Sequence, residues 1–358
     1  MSLTVEHVRE ALATVKDPDL GSDLVSLGMV EHIQCDGHDV HITIELTTPA
    51  CPMKDTIRAD CVAAVKAAAS DHETTVEVTF TARAAAAAVP RDVLPGVTHV
   101  IAVGAGKGGV GKSTVSVMIA TALTRLGASC GLLDGDIYGP SMGTMLGLDD
   151  LDPMGRGNTL LPFDVHGIKA MTIAKLVDPE KPMIWRGPMA HKAFSQLLLQ
   201  TDWGTLDYLI VDLPPGTGDV PLSLTQALPL AGAVIVCTPQ RVAQDDARRA
   251  VRMFGELDVP VLGVVENMSW FVGNDGTEYD LFGRGGAEQL AESMELPFLG
   301  PIPLHISMRE HGDAGTPLKN FQIDDSITEA IEHIAGKLVR QTAIAQAARP
   351  NAPSISTS

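Results

Sequence analysis

Apolar and polar positions change period along the chain, and each change marks an element. Val5, Val8, Leu12 and Val15 recur at three- and four-residue intervals, the spacing of one helix face. Thr4 stands where an N-cap belongs, and Asp17-Pro18-Asp19 stops the pattern. Val40, Ile42, Ile44 and Leu46 then alternate with polar residues, the period of a half-buried strand. Thr47–Pro52 reads as a loop. Met53–Ala69 reads as a helix with Ile57, Cys61, Val65 and Ala68 on one side, and Thr74–Thr81 as a strand carrying Val76, Val78 and Phe80. From residue 99 the pattern becomes short, nearly continuous apolar runs: His99–Val103, Ser129–Leu133, Tyr208–Val211, Ala233–Cys237 and Val261–Val265. Such runs suit parallel strands buried on both faces. Helical stretches lie between them, at Ser113–Leu126, Ala243–Glu256 and Gly286–Met294. The alternation predicts a doubly wound α/β domain with a mostly parallel sheet, preceded by a small α/β domain. The expected division is 1–81 for the small domain, 82–98 for an Ala/Pro linker, 99–342 for the large domain and 343–358 for a disordered tail. The linker holds Ala84–Ala88, Pro90 and Pro95; the tail holds Pro350 and Pro353.

Charge narrows the function classes. The 358 residues include 26 Lys and Arg against 44 Asp and Glu, a net charge of −18. Binding to nucleic-acid phosphates needs clustered cations, and so does docking on anionic lipid; neither partner is expected. The longest apolar stretch, Leu228–Cys237, is interrupted by Pro229 and Gly232 and falls well short of the roughly 20 residues that span a bilayer. Met1–Lys16 carries no apolar signal core. The five cysteines (Cys35, Cys51, Cys61, Cys130 and Cys237) are scattered and odd in number, which fits a reducing compartment, hence a cytoplasmic protein. Cys130 and Cys237 sit inside apolar strand patterns and read as core; Cys35 and Cys61 also read as structural. The histidines show no ligand spacing, so no zinc site is expected.

The strongest chemical signal is Gly106-Lys107-Gly108-Gly109-Val110-Gly111-Lys112-Ser113-Thr114, which follows a predicted strand and opens a predicted helix. That context is what a phosphate-binding P-loop requires. Its glycines let backbone N–H groups wrap phosphates, and the helix start favours an anion. Lys112 is expected to bridge the β- and γ-phosphates of ATP, and Ser113 to hold Mg²⁺. Asp134-Gly135-Asp136 follows the next strand, at the ligand side of such a sheet; one of these carboxylates can orient the attacking water. Asp212, at the end of the strand Tyr208–Val211, stands where a second Mg²⁺-binding carboxylate belongs. The following Pro214-Pro215-Gly216-Thr217-Gly218 reads as a stiff turn with glycine hinges that can sense the γ-phosphate. Asn267, after the strand Val261–Val265, offers a donor and an acceptor for the adenine edge.

These segments, in this order, resemble one family. Gly-Lys-Gly-Gly-Val-Gly-Lys-Ser-Thr, Asp134–Ser141, Trp185–Met189, Asp212–Asp219, Val265–Ser269 and Leu281–Gly286 look like the Mrp/ApbC type of iron-sulphur cluster carrier ATPase, within the deviant Walker A class of P-loop NTPases. The resemblance covers about residues 4 to 340. It implies a homodimer that hydrolyses ATP with Mg²⁺ and hands a cluster, of the [4Fe-4S] type, to apo-proteins, in contact with scaffold proteins. It implies that Lys107 reaches the partner's nucleotide and that Asp136 is the water-orienting carboxylate. The first segment has its own likeness: Asp17–Leu20, Leu27–Val30 and Leu46–Pro52 resemble the small domain of iron-sulphur assembly factors. Cys51 precedes a helix start, which favours thiolate, so it stands either as an iron-sulphur ligand or as a small buried hydrophobe.

The pattern departs from the family in one place. A Cys-x-x-Cys pair commonly follows the Asn-Met-Ser segment; two pairs in a dimer supply the four thiolates of a bridging cluster. Here Asn267–Thr277 contains no cysteine. Three readings follow: a carrier using Cys51 with further ligands, a carrier whose partner brings the cysteines, or a cluster-free ATPase scaffold. A rival from another class is a partitioning or cell-division ATPase that acts as a spatial switch. The acidic charge opposes the partitioning kind. The tail, with two prolines and no bulky apolar face, opposes the membrane-bound kind.

Overall fold

In the computed structural model, residues 3–18, 21–36, 38–46, 53–69, 74–82, 93–176, 187–273 and 276–348 are described. The chain divides into two compact units, 1–85 and 86–358.

The first unit contains helix α1 (Val5–Leu12), strands β1 (Val30–Asp36) and β2 (Asp39–Leu46), helix α2 (Lys54–Ala68) and strand β3 (Thr75–Ala82). The Thr4 hydroxyl caps α1 by accepting from the His7 N–H. The sheet runs β1-β2-β3, antiparallel then parallel. The parallel pair is possible because α2 carries the chain back across the sheet. The alternation read in β2 puts Val40, Ile42, Ile44 and Leu46 in the core, against Ile57, Cys61 and Val65 of α2. Strand β1 escapes a periodicity reading because Ile33 is its one fully buried residue.

The second unit is built on one sheet. Its parallel strands are β4 (Val97–Gly104), β5 (Cys130–Asp134), β9 (Ile168–Thr172), β10 (Leu206–Asp212), β11 (Gly232–Cys237), β12 (Val261–Val272) and β14 (Phe298–Leu304). Spatially they run β14-β12-β11-β4-β10-β5-β9, edged by antiparallel β8 (Phe163–Val165) and β13 (Glu278–Tyr279). Strands β6 (Met154–Arg156) and β7 (Thr159–Leu161) form a separate hairpin. The helices are α3 (Lys112–Arg125), α4 (Met142–Met145), α5 (Gly187–Gln200), α6 (Asp219–Gln226), α7 (Arg241–Glu256), α8 (Gly286–Ser293), α9 (Ile306–Asp313) and α10 (Asp325–Ala347). Strands β4, β10 and β11 are buried almost throughout, as their unbroken apolar runs require.

Four readings shift. The tail does not begin at 343: α10 continues to Ala347, because Ala343–Ala347 are helix formers following the buried Leu338, Val339 and Thr342. Asn267, expected just after the strand Val261–Val265, lies within it: β12 runs on to Val272, with a register break between Asn267 and Phe271 and Met268 at φ +57°. Val97 and Thr98, read as linker, begin β4, while Ala84–Ala88 lies outside the described residues. Strand β14 was hidden by Gly300, Pro301 and Pro303; prolines are tolerated there because β14 is an edge strand.

The start of the central pair is closed by a backbone contact. Gly96 has φ +92°, and a Cβ on it would lie 2.4 Å from the Gly204 carbonyl oxygen, while the Leu206 N–H donates to the Gly96 carbonyl at 2.9 Å. Neither backbone can yield without opening the β4–β10 register. Gly96→Ala should therefore lower unfolding stability by at least about 2 kcal/mol. A urea midpoint equal to that of the wild type would contradict this contact.

Candidate nucleotide site

Gly106–Thr114 connects β4 to α3, as the motif requires. Gly109 and Gly111 have φ of +82° and +80°, the left-handed region that glycine enters without strain. Two glycines are also required for space. A Cβ on Gly106 would meet the Asp246 backbone at 2.1 Å, and one on Gly111 would meet the Asn267 amide nitrogen at 2.1 Å. A Cβ on Gly108 would meet only Pro215, at an ordinary 3.9 Å, and Gly109 faces open space.

Lys112 opens α3, and its side chain is only 6% exposed. Its ammonium lies 2.7 Å from Asp212 Oδ2, 3.7 Å from Asp136 Oδ2 and 3.5 Å from Ser113 Oγ. Asp212 ends β10 fully buried and accepts from Ser113 Oγ at 2.6 Å and from Ser116 Oγ at 2.7 Å. Asp134 ends β5, equally buried. It accepts from the Asp136 N–H at 3.2 Å, the Met142 N–H at 3.1 Å and Thr172 Oγ1 at 3.0 Å. Burial, and then the charge of Asp212, push the Asp134 carboxyl up to about 7. Burial also raises Asp136, against the pull of Lys112. Of the two carboxylates, Asp134 is therefore the buried brace. Asp136 faces both a cavity of about 270 Å³ over the loop and one of about 440 Å³ beside it. Lys107, Lys112, Ser113 and Thr114 line the first; Tyr138, Pro214 and Pro215 line the second.

Asn267 braces the loop from behind, its amide donating to the Val110 carbonyl at 2.8 Å. Its neighbour Glu266 is buried and accepts from the Gly285 and Ala287 N–H groups at 2.8 and 2.7 Å, a carboxylate holding the start of α8. Ser116, Thr172 and Glu266 were missed in the sequence. Ser116 was findable, one helical turn after Lys112; Thr172 lies on a strand that gave no pattern.

The cysteines read differently from one another. Cys61, Cys130 and Cys237 are buried, and burial pushes the thiols of Cys61 and Cys237 up to about 12 and raises that of Cys130 further. Cys35 is half-buried and raised for the same reason. None of these four favours thiolate. Cys51 and Trp185 lie outside the described residues. After the Asn-Met-Ser segment, β12 and β13 form a hairpin; Arg284 stacks 4.7 Å from the Trp270 ring and pairs with Glu278 at 2.7 Å. Among the described residues no three His, Cys, Asp or Glu side chains converge as a metal site, and no helix is long and apolar enough to cross a membrane.

Comparison with known proteins agrees with this geometry. The model of the NUBPL iron-transfer P-loop NTPase family matches residues 96–339. The chain belongs to the iron-transfer P-loop NTPase family. The model of the iron-sulfur cluster assembly protein family matches residues 6–78. The iron-sulfur cluster carrier protein of Synechocystis is 45% identical, over 96% of this chain and 99% of its own. That of Deinococcus radiodurans is 47% identical over 93% and 94%, and that of Escherichia coli 40% identical over 93% and 91%. Among solved structures, a nucleotide-binding protein from Archaeoglobus fulgidus in complex with ADP is 36% identical, with a TM-score of 0.57 over 63% of this chain and 90% of that one. The cell division ATPase MinD of Pyrococcus furiosus shares the fold, with a TM-score of 0.52 over 68% of this chain and 98% of that one, at 20% identity. Identity thus puts this NTPase with the carriers, and the cell-division likeness is one of fold.

The raised carboxyl of Asp134 has a consequence for stability. In the unfolded chain it ionises near its ordinary 3.8, whereas in the fold it holds its proton up to about 7. Its contribution is thus fully present below about pH 4 and is lost as pH rises through 7. Urea unfolding of the nucleotide-free protein should show wild type losing stability relative to Asp134→Asn between pH 4 and 7, on the order of a few kcal/mol. A difference independent of pH would show that Asp134 is already ionised at low pH in the fold.

Proposed function

We propose that the chain is a cytoplasmic, homodimeric, Mg²⁺-dependent ATPase that carries an iron-sulphur cluster between scaffold proteins and apo-proteins. The observation that carries the ATPase half is the buried set Lys112–Asp212–Ser113 beneath a glycine loop. The carrier half rests on the relatives named as cluster carriers over nearly the whole chain.

The donor set fits Mg²⁺. Ser113 and Asp212 offer hard oxygens, and Mg²⁺ is typically held by one or two carboxylates plus substrate phosphates and water, so a larger protein cage is not required. When bound, the ion neutralises charge on the phosphates. The chain's own residues do the rest. The loop backbone, Gly106 to Thr114, binds the phosphate chain. Lys112, now spent on Asp212, exchanges that partner for phosphate oxygens. Asp136 orients the attacking water, and its raised pKa makes it a better proton acceptor than an exposed aspartate. Lys107, part-exposed on the cavity wall, reaches the partner's nucleotide. Lys112→Ala should bring ATP hydrolysis to background in a phosphate-release assay; normal turnover in that variant would sink the assignment.

The cluster is cargo, and its [4Fe-4S] type is part of the proposal. With the four described thiols held protonated by burial, Cys51 is the thiolate candidate, supplying one ligand per protomer while the donor or acceptor protein supplies others. The hairpin without cysteines favours a second reading, a cluster-free ATPase scaffold in the same assembly process. Anaerobic reconstitution with iron and sulphide separates them. A carrier should hold stoichiometric iron and acid-labile sulphide per dimer, lost in Cys51→Ser. No bound iron in the wild type would favour the scaffold.

A further inference from the structure

Ser116 lies on α3 one helical turn beyond Lys112 and is fully buried. Its hydroxyl has two acceptors within reach, the Lys112 carbonyl at 3.0 Å and Asp212 Oδ1 at 2.7 Å. A serine inside a helix is commonly satisfied by the carbonyl four residues back. A hydroxyl carries a single proton, however, and the shorter contact, to a carboxylate, is the stronger of the two. The proton goes to Asp212, and α3 is thereby tied to the end of β10.

Asp212 uses its two oxygens differently. Oδ2 takes the Lys112 ammonium at 2.7 Å and Ser113 Oγ at 2.6 Å. Oδ1 takes Ser116. Among the described residues no other side chain bonds this carboxylate. The division matters because Lys112 and Ser113 line the cavity over the loop and are the groups that phosphate oxygens and Mg²⁺ engage in P-loop enzymes. Both are drawn toward the nucleotide when it binds. Ser116 stands behind them, out of reach of solvent, and has no competing ligand. Its bond is the one that outlasts the exchange. The last torsion of an aspartate is broad and roughly two-fold, so the side chain's own rotamer does not fix the carboxylate plane; a hydrogen bond to one oxygen does.

We propose that Ser116 is a positioning residue that anchors Asp212 Oδ1 throughout the nucleotide cycle, so that Oδ2 stays aimed at Ser113 and at the Mg²⁺ the two would share. The proposal rests on the nucleotide-binding reading above. Partners that orient a ligating carboxylate have this effect in metal sites generally, and losing one typically costs about 10–100-fold in metal affinity or activity.

The test uses the full chain as wild type, Ser116→Ala and Ser116→Cys. Calorimetric titration with the non-hydrolysable ATP analogue AMP-PNP is run in EDTA and at a series of Mg²⁺ concentrations. Ser116→Ala should raise the Mg²⁺ concentration that half-saturates the gain in AMP-PNP affinity by at least about tenfold, with the affinity in EDTA unchanged. Ser116→Cys keeps the side chain's shape but donates only weakly, and should share that defect. Equal Mg²⁺ half-saturation in wild type and the alanine variant overturns the proposal. An equal loss of affinity with and without Mg²⁺ also overturns it, since Ser116 would then support the loop as a whole. A cysteine variant at the wild-type value beside a defective alanine variant does so too, because filled volume and not the donated bond would be what counts. Wild type that binds no AMP-PNP, or binds it equally well in EDTA, would overturn the nucleotide and Mg²⁺ reading itself, a separate failure.

Discussion

The large unit is organised around one buried charge pair. Lys112 and Asp212 meet at 2.7 Å with almost no solvent contact. Taking both charges out of water carries a desolvation cost that a single contact repays only with good geometry and further hydrogen bonds. Ser113 and Ser116 supply those bonds to Asp212. Asp134 and Asp136 stand nearby, and burial raises the pKa of each. The result is a site with more carboxyl groups than the Lys112 ammonium can pair. Such a site gains from a divalent cation, and the triphosphate such a cation accompanies gives Lys112 an alternative partner. In the function proposed above, the collapsed pair is one state of a two-state element, and nucleotide binding selects the other.

Strand β12 ties this element to the far side of the sheet. Asn267 holds the back of the phosphate loop at Val110, and Glu266, one residue earlier, holds the start of α8. A few residues further the same strand enters the hairpin with β13. Met268, at φ +57°, sits between the brace and the hairpin. A non-glycine residue in that region is strained and persists only when its surroundings impose it. The loop, α8 and the hairpin are thus attached to a single strand whose geometry is locally forced. At this hairpin Arg284 stacks on Trp270 and pairs with Glu278.

Sequence and structure agree unevenly, for physical reasons. The glycine loop was legible because only glycine fits at Gly106 and Gly111, where backbone or side-chain atoms stand 2.1 Å from a Cβ position. Strands β4, β10 and β11 were legible because burial on both faces leaves an unbroken apolar run. Strands β1 and β14 were not, the first because one face is polar, the second because an edge tolerates proline. The end of α10 is not marked in the sequence, because Ala343–Ala347 are helical although serine and proline follow beyond residue 349.

What the sequence determined by itself is local: the period of each element, the phosphate loop, and the carboxylates at strand ends, all of which depend on spacings of a few residues. It also determined the family, because motif order survives in the linear chain. What only the tertiary structure decided is which distant groups meet. Ser116 finds Asp212 across 96 positions, Thr172 finds Asp134 across 38, and Asn267 finds Val110 across 157. The different fates of Asp134 and Asp136, two residues apart, were likewise decided by burial and by partners from other strands. Hydrogen bonds and desolvation act through space, and no spacing along the chain encodes them.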